Sequence, residues 1–244
     1  MTVVIELPIL PAPVDELWHT LLDLGESLGV PWALIGGQMV LLHALEHGQV
    51  PPQISQDGDV IADIRAVPGA LTRVVAGIEN LGFSLQSISA DGLAHRYIRA
   101  AKPRPVVIDV LAPEGLGERA DLTTTPPGRT IEVPGGTQAL SRAERITVVH
   151  EGRRGMIPRP TLLAAIVGKA AATALPGPER HYRDLALLCA LVPDPFDVAE
   201  QMTRKDRQRV RMASKLLGDT HLAWALVPDS IRSSGKIAYG ILHG

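Results

Sequence analysis

The sequence predicts an α/β protein in which a first half with a mixed sheet is followed by a helical half. Patterns typical of helices and strands alternate as far as Leu111. A stretch rich in Gly, Pro and Thr then spans residues 112–136, and almost only helical periodicity follows Pro160. We therefore expect three parts: an α/β core at 1–115, a connector or hairpin at 116–155 and a helical domain at 156–244.

Hydrophobic spacing and chain breakers define the elements in order. Apolar residues at helical spacing, with Gly29 and Gly82 each just beyond a helix, predict helices at 15–28, 38–46 and 69–81. Short apolar runs bounded by Gly, Pro and polar residues predict strands at 32–35, 59–64, 83–88, 95–99, 105–111 and 145–149. In the last part, helices are expected at 161–173, 183–191, 196–209 and 211–226.

Composition excludes several classes of protein. With 244 residues, 45% hydrophobic residues and a net charge of −2, the chain is expected to be globular rather than disordered. Aromatic residues make up only 3%, which disfavours a base-stacking surface for single strands. A single cysteine, Cys189, excludes a disulfide framework within the chain. Because no signal-peptide pattern or long apolar run occurs, we expect a cytoplasmic protein without a membrane contact.

The stretch from Trp32 to Ile64 carries the strongest functional signal. A short apolar strand ends in Gly36 and Gly37, a helical run follows, and the pair Asp57 and Asp59 then enters a second strand. Residues i and i+2 of a strand share a face, so the two carboxylates are expected side by side, where a divalent cation would relieve their repulsion. Glycines let the backbone approach a phosphate at a helix N-terminus. The order predicts a site for Mg²⁺ or Mn²⁺ and a nucleoside triphosphate.

Asp109 is the best candidate for a third carboxylate. It is the one charge in the apolar run Val106–Pro113, and a buried, unpaired carboxylate is costly. A metal shared with Asp57 and Asp59 would provide a partner, and two-metal phosphoryl transfer needs such a group. The alternative is an Asp that caps a turn near Pro113. Ser55, two residues before Asp57, is expected at the edge of the same site.

The helical half offers one isolated cation and one basic run. Lys169 lies in an apolar helix, where it either extends to solvent or contacts a phosphate. Asp184 is either a first-turn residue of its helix or the partner of Lys169. The basic run is either a solvated helix or an RNA-phosphate contact, formed by Arg204, Lys205, Arg207, Arg209 and Arg211.

These pieces, in this order, resemble the nucleotidyltransferase-fold toxins of the AbiEii type, including the MenT group. The similarity is found in Ile35-Gly36-Gly37, Gln53-x-Ser55-x-Asp57-x-Asp59, Ile108-Asp109-Val110, Gly136-Thr-Gln-Ala-Leu, Pro160–Lys169 and Arg183-Asp184-Leu185. It implies a polymerase-β-like core, a helical C-terminal domain and transfer from a nucleoside triphosphate with Mg²⁺. It also implies that Asp57 and Asp59 bind the metal and that Lys169 and Asp184 are essential.

The resemblance further implies an RNA acceptor and a protein partner. Some members of that family modify the 3′ end of tRNA, which stops translation, and a cognate antitoxin restrains them. We therefore expect transfer to RNA, with tRNA as the first choice. Two other functions stay open from the sequence: the same transfer to a small-molecule hydroxyl, and a non-enzymatic binding or regulatory module.

Overall fold

A six-stranded mixed sheet organises the first half of the protein. The computed structural model describes residues 4–244. The strands of this sheet are β2 (Trp32–Ile35), β3 (Asp57–Ala62), β4 (Ser84–Leu85), β5 (Arg96–Arg99), β6 (Val106–Pro113) and β7 (Glu132–Val133). Their order is β2-β3-β6-β5-β4, with β7 also paired to β6. A second sheet, in the order β1-β8-β9, contains β1 (Val4–Glu6), β8 (Ala143–His150) and β9 (Arg153–Pro160).

Helices cover the sheets and form the second half. The helices that accompany the strands are α1 (Ala12–Ser27), α2 (Gly36–Glu46), α3 (Ala70–Asn80) and α4 (Gly136–Ser141). The helical half comprises α5 (Leu162–Ala172), α6 (Glu179–Ala190), α7 (Pro195–Glu200), α8 (Arg204–Arg211), α9 (Leu222–Ala225) and α10 (Asp229–His243). Within residues 4–244, no helix is both long and apolar enough to cross a bilayer. The predicted α/β class with a helical second half is confirmed.

The register of the large sheet sets the positions of its charged side chains. β3 and β6 run parallel, with Asp59 opposite Asp109. β5 runs antiparallel to β6, with Arg96 opposite the same Asp109. Directly opposite residues on neighbouring strands project to the same face. Arg96, Asp109 and Asp59 therefore form a row across three strands, and Asp57 lies two residues from Asp59 on that face.

Helix α2 belongs to two hydrophobic cores. Leu41 and Leu42 are fully buried in the core of the sheets and α1. Met39, Val40 and Ala44 pack instead with the buried residues of the helical half. An α-helix that is apolar on most of its surface is stable only when it is enclosed on more than one side. α2 thus connects the sheet that carries the carboxylates to the helices that face them.

Several elements differ from the sequence prediction. Strands β1 and β9 and helix α10 were not predicted; β9 begins with Arg153-Arg154-Gly155, which hides its strand pattern. The single helix expected at 196–209 is two helices, because Thr203 caps a new one and forms a capping box with Asp206. The helix expected at 211–226 is a 3-10 turn at Ser214–Leu217 followed by the short α9. The three-part domain division stays a prediction.

A buried acid secures α8 to the rest of the molecule. The Asp206 carboxylate is completely buried. It accepts hydrogen bonds from the Thr203 N–H (2.9 Å) and hydroxyl (2.8 Å) and from Arg142 Nη2 (2.9 Å). Arg209, one turn along, is buried and pairs with Glu114. The basic helix is therefore docked through its own charges.

We expect Asp206→Ala to lower the free energy of unfolding by about 3 kcal/mol, because Arg142 would lose its charged partner and α8 its cap. Lys205→Ala is the matched control on the exposed side of the same helix and should change stability by no more than about 0.5 kcal/mol. Urea unfolding followed by circular dichroism measures both. Equal stabilities for the two variants would contradict a structural role for Asp206.

Candidate active site

Two glycines bring the start of α2 into contact with β3. Gly36 has φ +70°, and a Cβ at this position would lie 1.7 Å from Asp59 Oδ2. At Gly37, a Cβ would lie 2.4 Å from the Ser55 Cβ. No other residue fits either position without displacing these side chains, and the conformation of Gly36 itself favours glycine. The glycine pair is therefore required for the turn to reach the acidic strand.

A chain of hydrogen bonds that begins in the hydrophobic core positions Asp57. The Ser55 hydroxyl donates to Asp57 Oδ1 at 2.5 Å. The Ser55 carbonyl accepts from Gln38 Nε2 at 2.7 Å, and Gln38 Oε1 accepts from the Trp18 indole at 3.0 Å. Gln38 and Trp18 are both fully buried. The segment before β3 is thus anchored to the hydrophobic core through Gln38 and Trp18. The predicted place of Ser55 beside the acidic pair agrees with this geometry.

Asp109 has a protein partner that the sequence did not indicate. It is buried, and its two oxygens accept from Arg96 Nε (2.8 Å) and Nη2 (2.7 Å) in a bidentate ion pair. The same Nη2 is 3.5 Å from Asp57 Oδ2. The hydrogen bond to Asp109 raises the pKa of Arg96, which stays charged. A carboxylate has about four lone-pair sites, so Asp109 can still accept a proton or contact a cation.

Asp57, Asp59 and Asp109 form what we call the acidic group. Of these three carboxylates, Asp59 is the one without a hydrogen-bonded partner among the described residues. Burial, followed by the charges of Asp57 and Asp109, raises the pKa of Asp59 to about 7. Lys169 and Arg180 act in the opposite direction but do not cancel the effect. A divalent cation would remove this penalty, because it favours the ionised carboxylate.

The acidic group has the donor chemistry of a magnesium site. Asp57 and Asp59 offer hard carboxylate oxygens from one face of β3, which is the ligand type that Mg²⁺ and Mn²⁺ prefer. Their fit is supported by the unpartnered state of Asp59. Asp109 is held by Arg96, and within residues 4–244 the one cluster with three ligand atoms inside 4.8 Å lies elsewhere. Of these carboxylates, the Asp57–Asp59 pair is therefore the one that could hold a divalent cation.

The helical half faces these carboxylates with an ion pair. Lys169 Nζ is 2.6 Å from Asp184 Oδ2, and the Lys169 side chain is only 8% exposed. The solvent-extended interpretation of Lys169 is therefore wrong. The first-turn interpretation of Asp184 is also wrong, because α6 begins at Glu179. A buried lysine held by one carboxylate keeps two donors for another anion.

One cleft, of about 680 Å³, lies between the two halves. All the residues predicted as catalytic, metal-binding or nucleotide-binding line it, namely Gly36, Gly37, Ser55, Asp57, Asp59, Asp109, Lys169 and Asp184. The structure thus brings together positions up to 148 residues apart in the chain, from Gly36 to Asp184 (184 − 36).

Four further cations, to which the sequence analysis assigned no role, belong to the cleft. Arg96, Arg104, Arg180 and Arg183 line it as well. Arg183 donates to Gln53 Oε1 at 2.6 Å, which joins the helical half to the loop before β3. Burial, with the charges of Lys169 and Arg180, lowers the pKa of His181 to about 4, so this histidine is neutral at pH 7. Of these residues, only Arg183 had a local signal in the sequence, as part of the motif Arg183-Asp184-Leu185.

The predicted RNA-binding run lies outside the cleft. None of Arg204, Lys205, Arg207, Arg209 and Arg211 is among the lining residues. Arg209 is buried against Glu114, and Arg207 donates to the Ala199 carbonyl at 2.6 Å. Arg209 therefore does not present its charge to solvent, and RNA binding by the run stays a prediction. The members exposed to solvent are Arg204, Lys205 and Arg211.

Comparisons with known proteins do not assign a function to this chain. The chain matches no family model and no curated protein. A solved structure with a similar arrangement is the solution structure of the antibiotic-resistance factor ANT(2'')-Ia, at 14% identity and a TM-score of 0.38, over 96% of each chain. At this level of similarity the comparison assigns neither substrate nor partner.

We expect Asp59→Asn to stabilise the metal-free protein at pH 8. The unfolded carboxyl ionises near pH 3.8 and the folded one near pH 7, so the folded state loses stability as the pH rises between these values. The variant removes this loss and should raise the melting temperature by about 4 °C or more at pH 8, with almost no gain near pH 4.

Thermal melts in a chelator measure this effect. Asp91→Asn, at an exposed position, is the matched control and should melt like the wild type at both pH values. A variant at position 59 that is no more stable than the wild type at pH 8 would show that Asp59 carries no such penalty.

Proposed function

We propose that this protein is a metal-dependent nucleotidyltransferase that transfers a nucleotide from a nucleoside triphosphate to a hydroxyl group. One observation carries the proposal: the glycine turn at Gly36–Gly37, the pair Asp57–Asp59 and the buried Lys169 all face one cleft. Phosphoryl transfer depends mainly on positioning and on charge stabilisation, and these groups supply both.

The sheet side of the cleft would hold the cation and the phosphates. Asp57 and Asp59 would bind Mg²⁺ or Mn²⁺, which when bound neutralises phosphate charge and orients the oxygens. The N–H groups at the start of α2 are available to phosphate oxygens, because the first amides of a helix have no intrahelical partner. Glycine at positions 36 and 37 leaves this backbone uncovered. Ser55 would keep Asp57 oriented through its hydrogen bond.

The helical side would stabilise developing charge. Lys169, oriented by Asp184, would donate to the phosphates, and Arg180 lines the same region. Asp109 would complete the acidic group and accept the proton of the attacking hydroxyl on a lone pair that Arg96 leaves free. Arg96 would meanwhile limit the repulsion between Asp109 and Asp57.

For the acceptor we propose RNA, with the tRNA 3′ end first, and a toxin activity that an antitoxin protein restrains. The support is the motif resemblance together with the exposed cations Arg204, Lys205 and Arg211, which could contact a phosphate backbone. The overall charge of −2 gives no general attraction for RNA, so a local surface is needed.

A small-molecule hydroxyl is the second candidate acceptor. The basic run at residues 204–211 favours this candidate, because the run does not line the cleft. In addition, Arg209 of the run forms an internal ion pair with Glu114 and does not face an acceptor. A cleft of about 680 Å³ is also within the size range of pockets that enclose small ligands.

Asp57→Asn and Asp59→Asn should each abolish transfer while the protein stays folded, because each change removes a charged metal ligand from a cleft. The assay supplies each labelled nucleoside triphosphate with Mg²⁺ and total RNA, or with a panel of small hydroxyl compounds, and follows label incorporation. Asp91→Asn should retain full activity. A wild-type protein that labels no acceptor would favour the non-enzymatic alternative, and full activity in either cleft variant would refute the metal assignment.

Lys169→Met should lower the transfer rate about a hundredfold or more, by analogy with the removal of one preorganised contact to transition-state charge. The Michaelis constant for the nucleotide should change much less than the turnover number. Lys102→Met, at an exposed lysine, is the matched control and should have no effect. An unchanged turnover number for the folded variant would make Lys169 purely structural.

The salt dependence of the reaction distinguishes the two acceptors. Binding of RNA releases counterions, so its Michaelis constant should rise steeply with salt. Arg204→Glu, Lys205→Glu and Arg211→Glu together should raise it further and leave the nucleotide constant unchanged. We exclude Arg209 from the set, because its loss would disturb Glu114. Curves that respond neither to salt nor to the triple change would favour the small-molecule acceptor.

A further inference from the structure

A second group of metal-ligand side chains lies apart from the cleft. Asp15 and His19 occupy positions i and i+4 of α1 and therefore share a face of this helix. His150 is the last residue of β8, in the three-stranded sheet. One ligand atom from each of the three side chains lies within 4.8 Å of the other two. None of the three lines the cleft.

A fourth potential ligand, Glu151, lies next to the group. Glu151 follows His150 in the turn between β8 and β9, with φ +48°. Its Oε2 is 3.4 Å from His19 Nε2, while His150 Nε2 is 2.8 Å from Asp15 Oδ1. The imidazole rings of His19 and His150 lie 4.9 Å apart between their centroids. Asp15, His19 and His150 thus converge where a helix meets a hairpin, and the Glu151 carboxylate lies beside His19 at the edge of this group.

These distances are close to those of a tetrahedral site. Zinc bonds to nitrogen or oxygen of about 2.0–2.2 Å place neighbouring ligand atoms about 3.4 Å apart. The His19–Glu151 pair, at 3.4 Å, matches this value, and the hydrogen-bonded pair His150–Asp15, at 2.8 Å, lies below it. The ligand atoms of Asp15, His19 and His150 lie within 4.8 Å of one another, so side-chain rotation would bring them to bonding distance around an ion.

The charges at the site also favour a cation. Asp15 and Glu151 bring two negative charges, and among the described residues their ion-pair partners are only the two histidines. The nearby Arg153 is occupied elsewhere, since its Nη2 lies 2.5 Å from Asp23 and 3.4 Å from Glu26.

We propose that Asp15, His19 and His150, with Glu151 as the fourth ligand, form a structural site for Zn²⁺ or a similar borderline transition ion. The mixed imidazole and carboxylate set suits such ions, whereas the all-carboxylate group of the cleft suits Mg²⁺. The bound ion would fasten α1 to the β8–β9 hairpin. The site does not depend on the nucleotidyltransferase proposal.

The test uses the Asp57→Asn, Asp59→Asn double variant, so that the cleft contributes no carboxylate pair. Chelator-treated protein is titrated with ZnCl₂ by calorimetry and with Co²⁺ by visible absorption. We expect one equivalent of metal and a Co²⁺ spectrum typical of four-coordination. Zinc at a hundredfold excess over its dissociation constant should raise the melting temperature by about 5 °C or more.

Variants of the ligands decide the assignment. His19→Ala and His150→Ala should each weaken zinc binding at least about tenfold and remove the thermal shift. His19 is one-third exposed, so its replacement keeps the fold even if the buried His150 does not tolerate change. His47→Ala, at the histidine that follows the last residue of α2 and lies outside the group, is the matched control. No zinc uptake by the parent protein, or wild-type-like affinity in folded His19→Ala, would overturn the proposal.

Discussion

The close approach between the Gly36 backbone and the Asp59 carboxylate is the constraint on which the candidate site depends. Even a methyl group at position 36 would overlap an oxygen of Asp59. This approach places the amides at the start of α2 beside the acidic strand, so a phosphate and a cation can share one small space. It also crowds Asp59, whose pKa is raised to about 7 by burial and neighbouring acids. The protein retains a destabilising arrangement at the place where its chemistry is expected, a common property of functional sites.

The charges of the cleft are divided between its two walls. The sheet wall carries Asp57, Asp59 and Asp109, with Arg96 as the internal counter-ion. The helical wall carries the cations Lys169, Arg180 and Arg183. A polyphosphate with a bound divalent ion has the complementary polarity, with its metal toward the carboxylates and its outer oxygens toward the helices. Under the proposed function, this division would give the nucleotide one preferred orientation.

Local patterns predicted the parts of the site that depend on spacing along the chain. The strand at Trp32–Ile35 ended in glycines as expected, and the i, i+2 rule placed Asp57 beside Asp59. The Lys169–Asp184 pair was one of two alternatives that the sequence left open. Arg96 could not be found in this way, because its partnership with Asp109 depends on which strands pair and in what register. Likewise, the number of basic residues in the run does not reveal that Arg209 forms an ion pair with Glu114, which is 95 positions away in the sequence.

Because α2 contributes side chains to both hydrophobic cores, the two halves of the protein cannot easily be separated. Because Met39, Val40 and Ala44 complete the packing of the helical half, the two halves share side chains instead of merely touching. A fragment that ended before α5 would leave these three side chains on an apolar face without a partner. The α/β half is therefore a poor candidate for transplantation into another chain, although it contains every carboxylate of the acidic group. Insertions and fusions are better tolerated at exposed turns such as Glu118–Arg119, where no shared core would be divided.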